Sequence, residues 1–530
     1  MEGALLGQRA GVLKPELFMT RNVGFVESRR MGSRTGRVRF DPATGGWRKG
    51  ALKVALKGVR SEMAVQEKEL NNRRKSTGPV RLFVGLPLDA VSDCNAVNHA
   101  KAIAAGLRAL KLLGAHGVEL PVWWGVAATG DWSAYLALAG MVRDAGLRLR
   151  VSLNLHASRR PAFPLPDWVS RLADANPDLL FTDRSGRRHS DCLSLAVDEL
   201  PVFDGKTPLQ AFEEFFLSFR SAFSDFIGST ITDISVSLGP NGELRYPSFP
   251  PSTGSHRFTG VGEFQCYDKY MLADLKRHAE EARNPLWGLS GPHDAPEYNQ
   301  SPDSSNFIRD NGGSWEGSYG NFFLSWYSGQ LLSHGDRMLS TASKVFGDLP
   351  VTLSAKVPLL HWWHDTQSRP AQLTAGFYNT YGRDGYDAIG EMFARNSWAM
   401  IIPGMDLLDK EQPHGLRSSP ESLLSQIMKA CEKHGVMVSG ENSSLVGIGA
   451  EGFRRVKETL SAENSSVDSF TYHRMGAYFF SPEHWPLFTE FVRSMAQSEI
   501  DSDDLPSNEE EKLSLSADMV PENNREMQAV

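Results

Sequence analysis

RLFVGLP (residues 81–87), VELPVWW (118–124) and LRLRVSLNL (147–155) are three β-rich runs in one stretch of chain, separated by helical patterns over Val97–Leu113 and Ser133–Ala145. Strands that alternate with helices of this length are joined by crossovers and run parallel. The alternation continues outward: further strands are predicted to begin at Ile231 (ITDISVSL), Val351 (VTLSAKV), Trp398 (WAMII), Val436 (VMVS) and Ser469 (SFTYHR). Helical stretches over Leu209–Ile227, Phe322–Ser343 and Pro420–Lys433 fall between them. Eight such strands predict an α/β fold, a single (β/α)8 TIM barrel with long βα-loop insertions. The alternative is an open doubly wound sheet, but VGLPLD after the first strand supplies no glycine-rich dinucleotide fingerprint. The Gly/Pro/Ser/Asn-rich interval from Pro247 to Ser318 reads as an insertion above the barrel.

Composition agrees with a large folded core. The 530 residues are 41% hydrophobic and 22% charged, which argues against a disordered or collagen-like chain. No apolar run reaches the roughly 18–20 uncharged residues that span a bilayer. The formal net charge of −7 gives no reason to expect nucleic acid as a partner. That total hides an uneven distribution. Residues 1–60 hold 13 Lys/Arg and 4 Asp/Glu, whereas residues 499–530 hold 2 basic and 10 acidic residues. The basic, acid-poor start reads as an organelle transit peptide, with a retained basic arm as the alternative. Residues 61–78 read as a charged linker, 79–498 as the barrel, and 499–530 as an acidic disordered tail. Cys94, Cys192, Cys266 and Cys431 are far apart, with neither a C-x-x-C pair nor a Cys/His cluster. Free thiols are expected, and a redox role is left open.

In a barrel of this kind, chemistry gathers at the C-terminal ends of the strands. Trp123-Trp124, His156, Glu243, Lys356, His361, Glu441 and Arg474 all follow strand ends. Glu243 lies in the turn LGPNGELRYPSFP and Glu441 in VSGENSSLVG. A turn glutamate taken alone is usually just solvated. Two of them after separate strands can face each other across a barrel mouth, as glycosidic cleavage requires. Trp362-Trp363 read equally as sugar platforms or as packing at the barrel rim.

GPNGELRYP, GEFQCYDKY (262–270), AKVPLLHWW (355–363), LTAGFYN (373–379) and GEN (440–442) resemble the plant β-amylases, glycoside hydrolase family fourteen, over about Arg81 to Met495. The resemblance implies a barrel that releases β-maltose from non-reducing ends of α-1,4-glucans with inversion. It implies Glu243 as general acid and Glu441 as general base, separated by about 6.5–9.5 Å to admit a water. It also implies sugar binding by His156, Lys356, His361, Asn442 and Arg474. No metal or organic cofactor is called for, because two carboxylates suffice for this chemistry.

The chain departs from the family pattern where substrate would be held. PVWWG places Pro121 where active members carry an Asp, and Pro403 stands where they offer a Thr. ASRRPAFPLPDW after His156 is shorter than the glycine-rich flexible loop and lacks its Asp; Ser443-Ser444 replace an Ala-Leu pair. Losing two carboxylates and a Thr removes on the order of 4–7 kcal/mol, a rate factor of roughly 10³ to 10⁵ if felt in the transition state. These changes resemble the divergent, inactive plastid members. The expectation is therefore a plastid (chloroplast stroma) protein of starch metabolism, inactive or strongly impaired and regulatory. Its partners would be an α-1,4-glucan or maltose and another starch-metabolising protein, with no membrane. An active maltose-releasing hydrolase and a non-catalytic glucan-binding scaffold are the alternatives.

Overall fold

Arg81–Gly85 (β1), Gly117–Trp123 (β2), Arg148–Asn154 (β3), Ile231–Val236 (β4), Thr352–Lys356 (β5), Ala399–Ile402 (β6), Val438–Glu441 (β7) and Val467–Tyr472 (β8) pair in that order as parallel neighbours. β1 closes the ring on β8, with Arg81 opposite Ser469 and Val84 opposite Tyr472. Each of the eight expected runs is a barrel strand. The computed structural model describes residues 79–249, 260–443, 447–462 and 466–503. The expected transit segment, the charged linker, the tail beyond Asp503 and Ser444 lie outside the described residues.

The crossovers pack outside the strands for reasons visible in their sequences. Helix α1 (Ala100–Leu113) buries Ile103, Leu107 and Leu110, an i, i+4, i+7 stripe, and ends on Gly114 in the left-handed region. Ser133–Asp144 (α2) buries Tyr135, Leu138, Ala139 and Val142 in the same way. Pro208–Ala222 (α3) begins with a capping box between Thr207 and Gln210 and lays four phenylalanines, including Phe215 and Phe219, against the barrel. The long α4 (Ser318–Phe346) precedes β5, and α5 (Pro420–His434) precedes β7.

The insertion after β4 carries a helix, Lys269–Glu281, capped by the Asp268 carboxylate, which accepts from the Tyr270 and Met271 amides. Only Met271, Leu275 and Ala279 of that helix are buried, a narrow stripe among charged residues that resembles a polar loop. The last helix among the described residues spans Trp485–Asp503. Among the described residues, no helix is long and apolar enough to cross a membrane. All four cysteines are unpaired, and only Cys94 is exposed.

Candidate active site at the barrel mouth

The barrel floor is polar. Arg150 of β3 is buried, donates to the hydroxyls of Ser439, Thr471 and Ser469 at 2.8 Å each, and lies 3.2 Å from Asp233. Asp233 also pairs with Arg81. Both terminal nitrogens of this guanidinium are engaged, by three hydroxyls and a carboxylate, which ties β3 to β4, β7 and β8 across the floor.

Above this floor sits a cluster of charges. Glu119 of β2 is buried, with Arg474 Nη2 at 3.2 Å and His473 Nε2 at 3.4 Å from its Oε2. Glu441, at the end of β7, has Lys356 Nζ 2.6 Å from Oε2 and His473 Nε2 3.5 Å from Oε1. Burial opposes ionisation of Glu441, but the Lys356 ammonium and the His473 imidazole outweigh it and hold the carboxyl at about 2. Glu119 is likewise kept well below the usual carboxylate range: Arg474, His473 and Lys356 overcome its desolvation. For Lys356 burial works against the charge, yet Glu441, Glu119 and Glu243 leave its pKa raised.

Glu243 follows β4 through a turn in which Asn241 and Gly242 take positive φ, 55° and 80°. That turn delivers Glu243 to a bridge with Lys356, where the Leu244 amide donates to the Lys356 carbonyl at 2.9 Å. Arg245 Nε donates to Glu243 Oε2 at 2.6 Å, a charge-assisted hydrogen bond. His156 is buried beside it, with Nδ1 3.0 Å from Ser237 Oγ; burial, helped by Lys356 and Arg245, pushes the imidazole down to about 3. It is neutral at pH 7.

Two connected cavities occupy the mouth. The inner, about 400 Å³, is lined by Glu119, His156, Lys356, Glu441, Asn442 and Arg474. The outer, about 610 Å³, is lined by His361 and Trp362. Ser158, Arg160, Asn241, Glu243, Pro403 and Ser443 line both, so Glu243 stands at their junction and Glu441 lies deeper. The structure thus brings the candidate carboxylates and sugar-binding residues into one continuous space, except that His361 faces only the outer part.

Some of these side chains are already committed. Asn442 donates from Nδ2 to the His473 carbonyl and accepts the His473 amide on Oδ1, which ties β7 to β8. Arg474 also donates to the Leu86 carbonyl. His361 Nδ1 is 2.6 Å from Ser418 Oγ, and its ring stacks on Trp362 at 4.5 Å. Trp363 is buried in the core, so of that pair only Trp362 is offered to the outer cavity.

Pro121, Ser443 and the short loop after β3 each fit their local surroundings. Pro121 is opposite Ser152 in the β2–β3 ladder, on the lumen-facing side between Glu119 and Trp123. Proline is ordinarily excluded from inner strands because it lacks an N–H. Here the β1–β2 register ends at Gly85 opposite Glu119, and the Leu86 amide donates to the Glu119 carbonyl. The backbone of residue 121 faces that same side, beyond the end of β1, so no ladder bond is lost. Ser443 is tied to the loop after β6: its amide and its hydroxyl both donate to the Asp406 carboxylate, at 2.6 and 2.7 Å. The short loop after β3 is a hairpin, Ser158–Arg159 against Ala162–Phe163. Phe163 stacks on Trp123 at 4.8 Å and 14°, and Arg159 Nε reaches both Asp191 oxygens at 3.2 Å.

Sequence reasoning did not single out Glu119, Arg150, His473 or Asp406. A carboxylate inside the otherwise apolar VELPVWW run was the available signal for Glu119, and Arg150 interrupts LRLRVSLNL in the same manner. Asp406 carried no such mark. Among the described residues, no group of three or more His, Cys, Asp or Glu side chains is arranged to hold a metal ion.

Residues 83–500 match the model of glycosyl hydrolase family 14. The chain belongs to this family. It is 53% identical over 489 residues to the inactive beta-amylase 9 of Arabidopsis thaliana, covering 90% of each chain. It is 42% identical to the chloroplastic beta-amylase 2 of Oryza sativa subsp. japonica, covering 80% of this chain and 78% of that one. The catalytic domain of the beta-amylase from Paenibacillus polymyxa superposes with a TM-score of 0.64 at 25% identity, covering 78% of this chain and 98% of that domain. The family's barrel is therefore this chain's barrel, and an α-glucan is the ligand class the family implies.

Proposed function

We propose that this β-amylase family member hydrolyses α-1,4-glucans weakly or not at all and acts in starch metabolism as a regulator. The observation that carries this reading is the β3 hairpin. Stacked on Trp123 through Phe163 and paired to Asp191 through Arg159, it is held at both ends rather than free to close. It carries no carboxylate between Ala157 and Pro166. Without a closing loop, water stays in the mouth and the sugar is positioned poorly, the two contributions a lid makes to catalysis. Pro121 and Pro403 add no side-chain hydrogen bond, and Ser443 spends its hydroxyl on Asp406. In this reading Glu243 and Glu441 are retained because Arg245 and Lys356 depend on them: removing either strands a charge. The basic residues 1–60 and the chloroplastic relatives support plastid targeting.

Protein from residue 79 onward, incubated with soluble starch, is expected to release no meaningful maltose. A Pro121→Asp, Pro403→Thr double variant is expected to stay weak, because the loop after β3 remains short. Turnover near that of an ordinary β-amylase in the unmodified protein would overturn the proposal. One observation favours the alternative of a true hydrolase, namely that Glu243 and Glu441 both line the inner cavity. That alternative requires β-maltose as product and its loss in Glu243→Gln.

A further inference from the structure

The charges facing the junction of the two cavities do not cancel. Arg159 is paired with Asp191, and Arg245 with Glu243. Deeper in, Lys356 and Arg474 are matched by Glu441 and Glu119, and Arg150 by Asp233. His189, lining the outer cavity, is buried with its imidazole pushed down to about 4, so it carries no charge at pH 7. Arg160 is left over. It is exposed, it lines both cavities, and among the described residues no hydrogen bond or ion pair engages its guanidinium. The backbone that carries it is nonetheless held, because Phe163 and Arg159 anchor the hairpin on either side of it. Ser158 and Asn241, both hydrogen-bonding side chains, line the same junction.

We infer that this junction is an anion subsite, in which Arg160 receives a phosphoryl ester carried on an α-1,4-glucan. The inference rests on the reading above that the cavity takes a glucan. A guanidinium presents a planar fork of N–H donors that matches two phosphate oxygens at once, and the anchored hairpin holds its backbone at the junction. A neutral sugar hydroxyl gives that fork a single weaker partner. The same substitution that removes a carboxylate-bearing loop therefore does more than weaken binding of plain glucan. It changes which glucan the mouth prefers, since a carboxylate there would repel the ester that Arg160 attracts.

Calorimetric titration of the full chain with maltotetraose, with maltotetraose bearing one 6-phosphoryl ester, and with inorganic phosphate alone tests this. The ester is expected to bind about tenfold more tightly than the neutral sugar at low salt, and the gap should narrow as salt screens the exposed guanidinium. Arg160→Gln should abolish the preference while leaving neutral-sugar affinity in place, and Arg160→Lys should keep part of it. Equal affinities in the unmodified protein, or a preference that survives Arg160→Gln, would overturn the inference. Inorganic phosphate binding as tightly as the ester would overturn it too, since the glucan would then contribute nothing. Failure of the phosphoryl ester to bind overturns the subsite while leaving the absence of hydrolysis standing. Maltose release, conversely, would sink the proposed function without touching Arg160.

Discussion

Lys356 lies against Glu441 and within the field of Glu119 and Glu243, so its ammonium is the common counter-charge of the inner cavity. Breaking a buried pair by deleting one partner leaves an uncompensated charge and costs about 3–5 kcal/mol. Lys356→Met is therefore expected to lower stability by that amount in urea unfolding at pH 7. A loss below about 1 kcal/mol would mean the pair is solvated and that Glu441 is not held by it. Under the proposed function, this residue-level dependence is the physical reason for the carboxylates to persist. The candidate residues Glu243, Glu441, Lys356, His156 and Arg474 were legible because each is polar at or beyond the C-terminal end of a strand. Glu119 and His473 were harder to see: their importance arises only when strands β2, β7 and β8, distant in sequence, meet around one ring.

At the scale of elements, the hairpin after β3 depends on one aromatic contact. Phe163 is buried, and its stacking on Trp123, itself pinned by a bond from Nε1 to the Leu88 carbonyl, joins the hairpin to β2. Burial and stacking of such a ring contribute about 2–4 kcal/mol. Phe163→Ala should accordingly speed hydrogen exchange at the amides of residues 157–165. Exchange unchanged from the parent would show that Arg159 alone holds the loop. The eight strands were legible because parallel strands buried on both faces read as short apolar runs with β-branched residues. The helix Lys269–Glu281 was not, because only three of its residues face the core.

For the whole molecule, acid stability follows from the depressed carboxyls. Glu441, held at about 2 in the folded state, and Glu119, also well below its ordinary value, bind fewer protons folded than unfolded. Their contribution is fully present above the unfolded value of about 4.3 and is lost as pH falls through the folded values. Thermal melting should therefore drop steeply between about pH 4.3 and pH 2. Glu441→Gln should flatten that slope, and an identical slope in the variant would remove Glu441 from the account.

The order of apolar runs and helical spacers was enough to specify the barrel, because each strand's character depends on its own few residues and their period. It also places Pro121, Pro403 and the short loop after His156, which are local to the chain. Only tertiary closure decided which charges cancel. Lys356 with Glu441, Arg474 with Glu119 and Arg159 with Asp191 are pairs formed across strands and loops far apart in sequence. The same closure left Arg160 without a partner among the described residues at the cavity junction. Charge compensation falls off over a few ångströms of space, and no periodicity along the chain encodes that distance.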